Sequence, residues 1–136
     1  KVIFSDLIRG DTGGTNLRLR VGGTDSSSAV YQVGMFGQNL NSTTYENGNS
    51  GRNQTSFDIG KGLNDANGTT IAFDIFNPFA SFNTIYYGGS YDHQSPSVYT
   101  IIGCFKGSTS FDGFTIFPAS STLTSGTYKI YGYANS

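Results

Sequence analysis

The nine residues from Tyr86 to Gln94 gather the side chains of this sequence best suited to touching a ligand. Tyr86, Tyr87 and Tyr91 supply aromatic faces, Asp92 a carboxylate, His93 an imidazole and Gln94 an amide. Stacked rings beside hydrogen-bonding groups suit a sugar, because a pyranose offers one apolar face and a rim of hydroxyls. The same tyrosines suit a protein interface equally well, and alternating ones belong in a core. On the sequence alone all three readings stay open.

Catalysis finds less support. His93 is the one histidine and Cys104 the one cysteine. Any Ser-His-Asp or Cys-His chemistry would have to use His93, which sits in a turn-rich stretch beside Pro96 and reads as a solvated loop residue. A lone histidine builds no histidine-rich metal site, and a lone cysteine forms neither an internal disulfide nor a multi-cysteine metal centre. The apolar run around Cys104 reads as an inert core thiol. Asp58, Asp74, Asp92 and Asp112 fall on separate strands or turns, where carboxylates commonly cap turns; no paired acids for glycan hydrolysis are legible. The glycine-rich stretches lack a phosphate-binding fingerprint. Arg9-Gly10-Asp11 spells an adhesion tripeptide and Asn41, Asn53 and Asn67 head glycosylation sequons, short matches that chance supplies in an Asn- and Thr-rich chain. We therefore expect no catalytic residue, no cofactor and no metal ligand.

Whatever these residues do, short strands must position them. The 136 residues include 11 Phe, 9 Tyr and 19 Gly but no Trp, a composition favouring strands joined by tight turns. This length suits one domain over residues 1–136 with its own core. Only 12% of residues are charged and the net charge is −1, so there is no basic surface for nucleic acid. Ser, Thr, Asn and Gly carry the polarity, as in an assembled or extracellular setting. No apolar run is long enough for a membrane-spanning helix, and the first residues form no signal-peptide core. A start at Lys1 and a single, internal Met35 suggest a fragment or a processed product.

Period-two alternation begins at Asn16–Val21, where Leu17, Leu19 and Val21 share a face. Ser28–Phe36 reads as its hairpin partner across the turn at residues 22–27. Residues 37–53 are too polar for a core and read as a long exposed loop. Gln54–Ile59, Thr70–Phe76, Phe82–Tyr87, Ser97–Phe105, Gly113–Phe117 and Thr127–Tyr133 complete the strands; Pro78 should end the second of these. Ser97–Phe105 is apolar on both faces and should lie at the centre of the core. The expectation is an all-β, antiparallel β-sandwich, jelly-roll-like, with about eight or nine strands.

Phe111–Ser121, followed by Ser125-Gly126-Thr127-Tyr128-Lys129-Ile130-Tyr131-Gly132-Tyr133, resembles the closing hairpin of tailed-bacteriophage virion proteins, with their s-G-t-x-x-[VIL]-Y-G ending. The upstream order is similar: Leu17–Arg20, Tyr31-x-x-Gly34, Ile71–Pro78 and then a tyrosine-rich strand. The resemblance implies a viral structural protein of the virion surface: a capsid decoration, tail or fibre module, commonly trimeric, acting by self-association and by docking to other virion proteins. In that motif Gly126 should make a tight turn, Tyr128 and Ile130 should enter the core, and Gly132 should let another backbone approach. The alternative is a host-attachment tip that binds a surface glycan through Tyr86–Gln94. An enzyme ranks last.

Overall fold

The computed structural model describes residues 1–10, 13–43, 45–61 and 68–133, and for 46–49 the backbone alone. Eleven strands run in order: β1 (Val2–Arg9), β2 (Thr15–Val21), β3 (Thr24–Asp25), β4 (Tyr31–Asn39), β5 (Tyr45–Gln54), β6 (Phe57–Gly60), β7 (Thr69–Phe76), β8 (Thr84–Asp92), β9 (Ser97–Phe105), β10 (Gly113–Pro118) and β11 (Leu123–Ile130). No helix forms among the described residues. The strands make an antiparallel sandwich. A seven-stranded sheet has the order β11-β1-β7-β8-β9-β4-β5, and over it lies a small sheet in which β2 pairs with β10 on one side and with β3 and β6 on the other.

The core is an aromatic chain running between the sheets. Phe111 meets Phe105 edge-on, Phe105 meets Tyr31, and Tyr31 meets Phe57, with ring centroids 4.7–4.9 Å apart. Phe57 then contacts Tyr86 at 4.4 Å, and Phe73 and Phe4 carry the chain on to Tyr128. Such pairs add about 0.5–1.5 kcal/mol each beyond the area they bury. Two of the core tyrosines, Tyr31 and Tyr86, also bolt the sheets together. Tyr31 Oη donates to the Ser26 carbonyl and accepts from the Leu19 amide, while Tyr86 Oη donates to the Asp58 carbonyl. Neither of these two phenols is left unpaired, which would cost about 1–3 kcal/mol in a buried setting. The ring of Tyr86 lies flat across β9 because Gly103 has no side chain there; an added Cβ would meet it at 2.2 Å.

Several expectations need correction. β2 does not form a hairpin with β4, which lies in the other sheet; Gly22 and Gly23, both at positive φ, turn β2 instead into the two-residue β3. Residues 37–53 are not one long loop. Residues 37–39 end β4 and residues 45–53 lie in β5, an edge strand held by pairing with β4 although its sequence has no apolar alternation. β1 was not legible as a strand because its alternation changes phase at a bulge. Asp6 takes φ 54°, and the pairing slips between Ser5 and Ile8 against β11 and between Phe4 and Leu7 against β7. Gly126 makes no turn; it sits inside β11 at φ 143°, facing that bulge, where an added Cβ would lie 3.1 Å from the Cα of Leu7. Asn67 and the rest of the glycine-rich turn at 62–67 lie outside the described residues.

Candidate functional site: the outer face of the seven-stranded sheet

The Tyr86–Gln94 segment is not one cluster. β8 runs through Gly88 and Gly89 to Asp92, so its side chains alternate between the two faces of the sheet. Tyr86 is fully buried, and burial pushes its phenol far above the usual tyrosine range; it is a core residue and unavailable to a ligand. Asp92 is buried as well and accepts from the Gln94 and Ser95 amides, so it caps the turn that carries His93 and Gln94. His93 and Gln94 are exposed there. The His93 ring stands edge-on to Tyr91 at 4.7 Å, and its Nε2 lies 3.1 Å from Thr70 Oγ1. Tyr87 and Tyr91 face outward on the other side of the sheet, with Gly89 between them. Of the six residues, the structure brings Tyr91, His93 and Gln94 to one corner and sets Tyr87 apart.

The registers of β7, β8, β9 and β4 show what Tyr87 belongs to. Their outward positions line up in four rows: Phe76, Ile85, Cys104, Gln32; Asp74, Tyr87, Ile102, Gly34; Ala72, Gly89, Thr100, Phe36; and Thr70, Tyr91, Val98, Gln38. Phe36, Phe76, Ile85, Tyr87, Val98 and Ile102 are all large, apolar or aromatic, and exposed; Ile102 is 42% and Tyr87 52% accessible. Asp74 is the one charged position in the grid. It is already engaged, accepting from the Tyr133 hydroxyl at 2.7 Å, with the backbone nitrogen of Lys1 3.7 Å away. That hydrogen bond is the first reason the Tyr133 phenol is raised above its ordinary range.

The sequence missed this face although its signal was present. β9 does lie within the large sheet, but only its Tyr99, Ile101 and Phe105 side enters the core; Val98 and Ile102 look outward to solvent. An apolar residue at every position of a strand means two faces to cover, and this chain covers one of them. Cys104 is likewise no core thiol. It lies half-buried on the outer face, where burial raises its pKa more than Lys106 lowers it.

Other candidates resolve into structure. Arg9 of the adhesion tripeptide is buried, with its guanidinium on the Gly13 carbonyl and the Thr15 hydroxyl; Asp11 lies outside the described residues. Asp112 accepts from the Gly22 amide. No group of three His, Cys, Asp or Glu side chains placed to hold a metal occurs among the described residues, and no helix there is long and apolar enough to cross a membrane. No known protein family matches the chain, and neither does any curated protein or solved structure.

Proposed function

We propose that this chain is a non-enzymatic structural protein that works by associating with copies of itself, and with other proteins of the same assembly, through the outer face of its seven-stranded sheet. The observation that carries this reading is the four-by-four grid around Tyr87 and Ile102, where six large apolar or aromatic side chains stand exposed on a face with one charge, Asp74, already held in a hydrogen bond. Scattered apolar residues are ordinary on a surface, but a contiguous field depleted of charge is the composition of an interface centre. Four strands about 4.8 Å apart and four rows about 7 Å apart span roughly 20 Å by 23 Å. Covering that field on two partners removes about 900 Å² before side-chain relief is counted, close to where specific interfaces begin. The resemblance of residues 111–133 supplies the proposed setting, a tailed-phage virion surface with a trimer as the favoured assembly, and that part of the reading rests on the resemblance alone. Light scattering tests it: the wild type should run as a defined oligomer and Ile102→Lys as a folded monomer. An unchanged mass in that variant would refute the proposal.

A second reading, a glycan-binding tip, draws on Tyr87 and Tyr91, two outward rings separated by the flat surface of Gly89. A glycan-array preference lost in both Tyr87→Ala and Tyr91→Ala would favour it over self-association.

A further inference from the structure

Among the described residues five strands present a free backbone edge, and four of them are blunted. β11 carries Lys129 and crosses the Asp6 bulge; β5 is polar and slips register against β4 twice; β3 has two residues; β6 has four and a register shift against β2. These are the usual devices against edge-to-edge pairing. β10, Gly113-Phe114-Thr115-Ile116-Phe117-Pro118, has none beyond its terminal proline. It holds six residues in unbroken register with β2 and carries no charge.

A groove runs beside this edge. The outermost strands of the large sheet are roughly 29 Å apart, those of the small sheet only about 10 Å. Cover ends between β1 and β11. In one row Phe4 is buried and its β11 neighbour Tyr128 is 69% accessible; in the next, Val2 is buried and Ile130 is 59% accessible. Contrary to the sequence expectation, Tyr128 and Ile130 point to the core side without being covered. With Phe114 and Ile116 of β10 they line a cavity of about 820 Å³, walled by Phe79 and Tyr133. A second hollow of about 240 Å³ shares Phe4 and Tyr128 and extends the strip to Leu123. The depression therefore follows a strand along its length. Among the described residues nothing stands within 4 Å of an added Cβ at Gly132.

We propose that this groove accepts one extended, uncharged apolar segment of another polypeptide, which pairs with the free edge of β10 and lays alternate side chains on Tyr128 and Ile130. Three features select that occupant. Strand addition needs a free edge and pockets at alternate positions, and both are present. The charged lining residues, Lys1 and Asp112, are one of each sign, so an anionic amphiphile gains no net field. A folded second copy is excluded as a direct β10-to-β10 pair, because in that arrangement the two overhanging seven-stranded sheets would occupy the same space. A six-residue segment about 20 Å long between sheets about 10 Å apart contacts roughly 400 Å², or 800 Å² counted on both partners, the size of a weak, reversible interface.

The test uses isotope-labelled protein and a panel of seven-residue peptides, flanked by lysines, that alternate threonine with valine, isoleucine, leucine or phenylalanine. At about 1 mM at least one should shift and protect from exchange the amides of Phe114–Phe117. Ile130→Arg should weaken that binding at least tenfold, placing a charge in the apolar slot without unfolding the protein, since Ile130 is exposed. Thr100→Lys on the outer face should leave the peptide affinity unchanged, which separates this proposal from the preceding one. The inference fails if no peptide perturbs β10, if octanoate binds the same residues more tightly than every peptide, or if Ile130→Arg alone changes the oligomeric mass.

Discussion

Each of β8 and β9 carries two sets of side chains that fare differently. On the inner side Tyr86, Tyr99, Ile101 and Phe105 are buried, and the Tyr86 hydroxyl has its partner. One residue along, Ile85, Tyr87, Val98 and Ile102 are equally apolar or aromatic and are left in solvent. A fold explains the first set completely and the second not at all, since nothing inside the chain gains from it. What the difference teaches is that the sequence encodes more apolar sheet than one sandwich can use, and the surplus lies on one face. Effects of substitution should divide along the same line: inner changes should act on stability and outer changes on mass.

The largest effect should come from the inner set. Phe57→Ala removes the ring shared by Tyr31 and Tyr86 and should cost about 3–5 kcal/mol in denaturant unfolding. Tyr31→Phe keeps the ring but leaves the Leu19 amide and the Ser26 carbonyl without their shared hydroxyl, for about 1–3 kcal/mol. That variant also has a pH signature. Burial raises the Tyr31 phenol above its ordinary value of 10.0 in the folded state, so this stabilisation is whole below that value and is lost as pH climbs toward the folded pKa. Unfolding titrations above pH 10 should therefore fall less steeply in Tyr31→Phe than in the wild type. Gly126→Ala, which places a Cβ against Leu7 at positive φ, should cost about 1–2 kcal/mol. Smallest in stability should be Ile102→Lys, within about 0.5 kcal/mol, although it alone of these changes should dissociate the oligomer. If Ile102→Lys proved as destabilising as Phe57→Ala, the distinction between the faces would collapse.

The sandwich was legible wherever alternation kept its phase. The alternation of β9 marks both its ends, Ser97 and Phe105, and β7 ends before Pro78 because a proline in the ladder has no amide to give. Three features escape local pattern for separate reasons. β1 changes phase at Asp6, so Val2 and Phe4 do not extend into Leu7 and Arg9 by a simple period of two. The sequence of β5 has no apolar alternation, and its strand character comes from β4, far from anything local pattern expresses. The end of β11 holds the right residues for a core, Tyr128 and Ile130, but whether a strand is covered depends on how far the opposite sheet reaches, which is a tertiary fact. The candidate site was half legible. Tyr87 and Tyr91 were found through composition, while Phe36, Ile85 and Ile102 join them only through cross-strand register. Among the open readings of Tyr86 the structure selects the core, because the parity of β8 is fixed by Gly88 and Gly89 remaining in the strand.

Cys104 offers the most direct test of the central claim, because the only thiol of the chain sits in the grid itself, between Ile85 and Gln32. The rate of its reaction with a maleimide should be measured across a dilution series that spans the oligomer's dissociation. If the outer face is an interface, labelling slows as protein concentration rises, and the labelled protein runs as a folded monomer. A rate independent of concentration in a protein that remains oligomeric would show that the copies meet elsewhere, and would contradict the account.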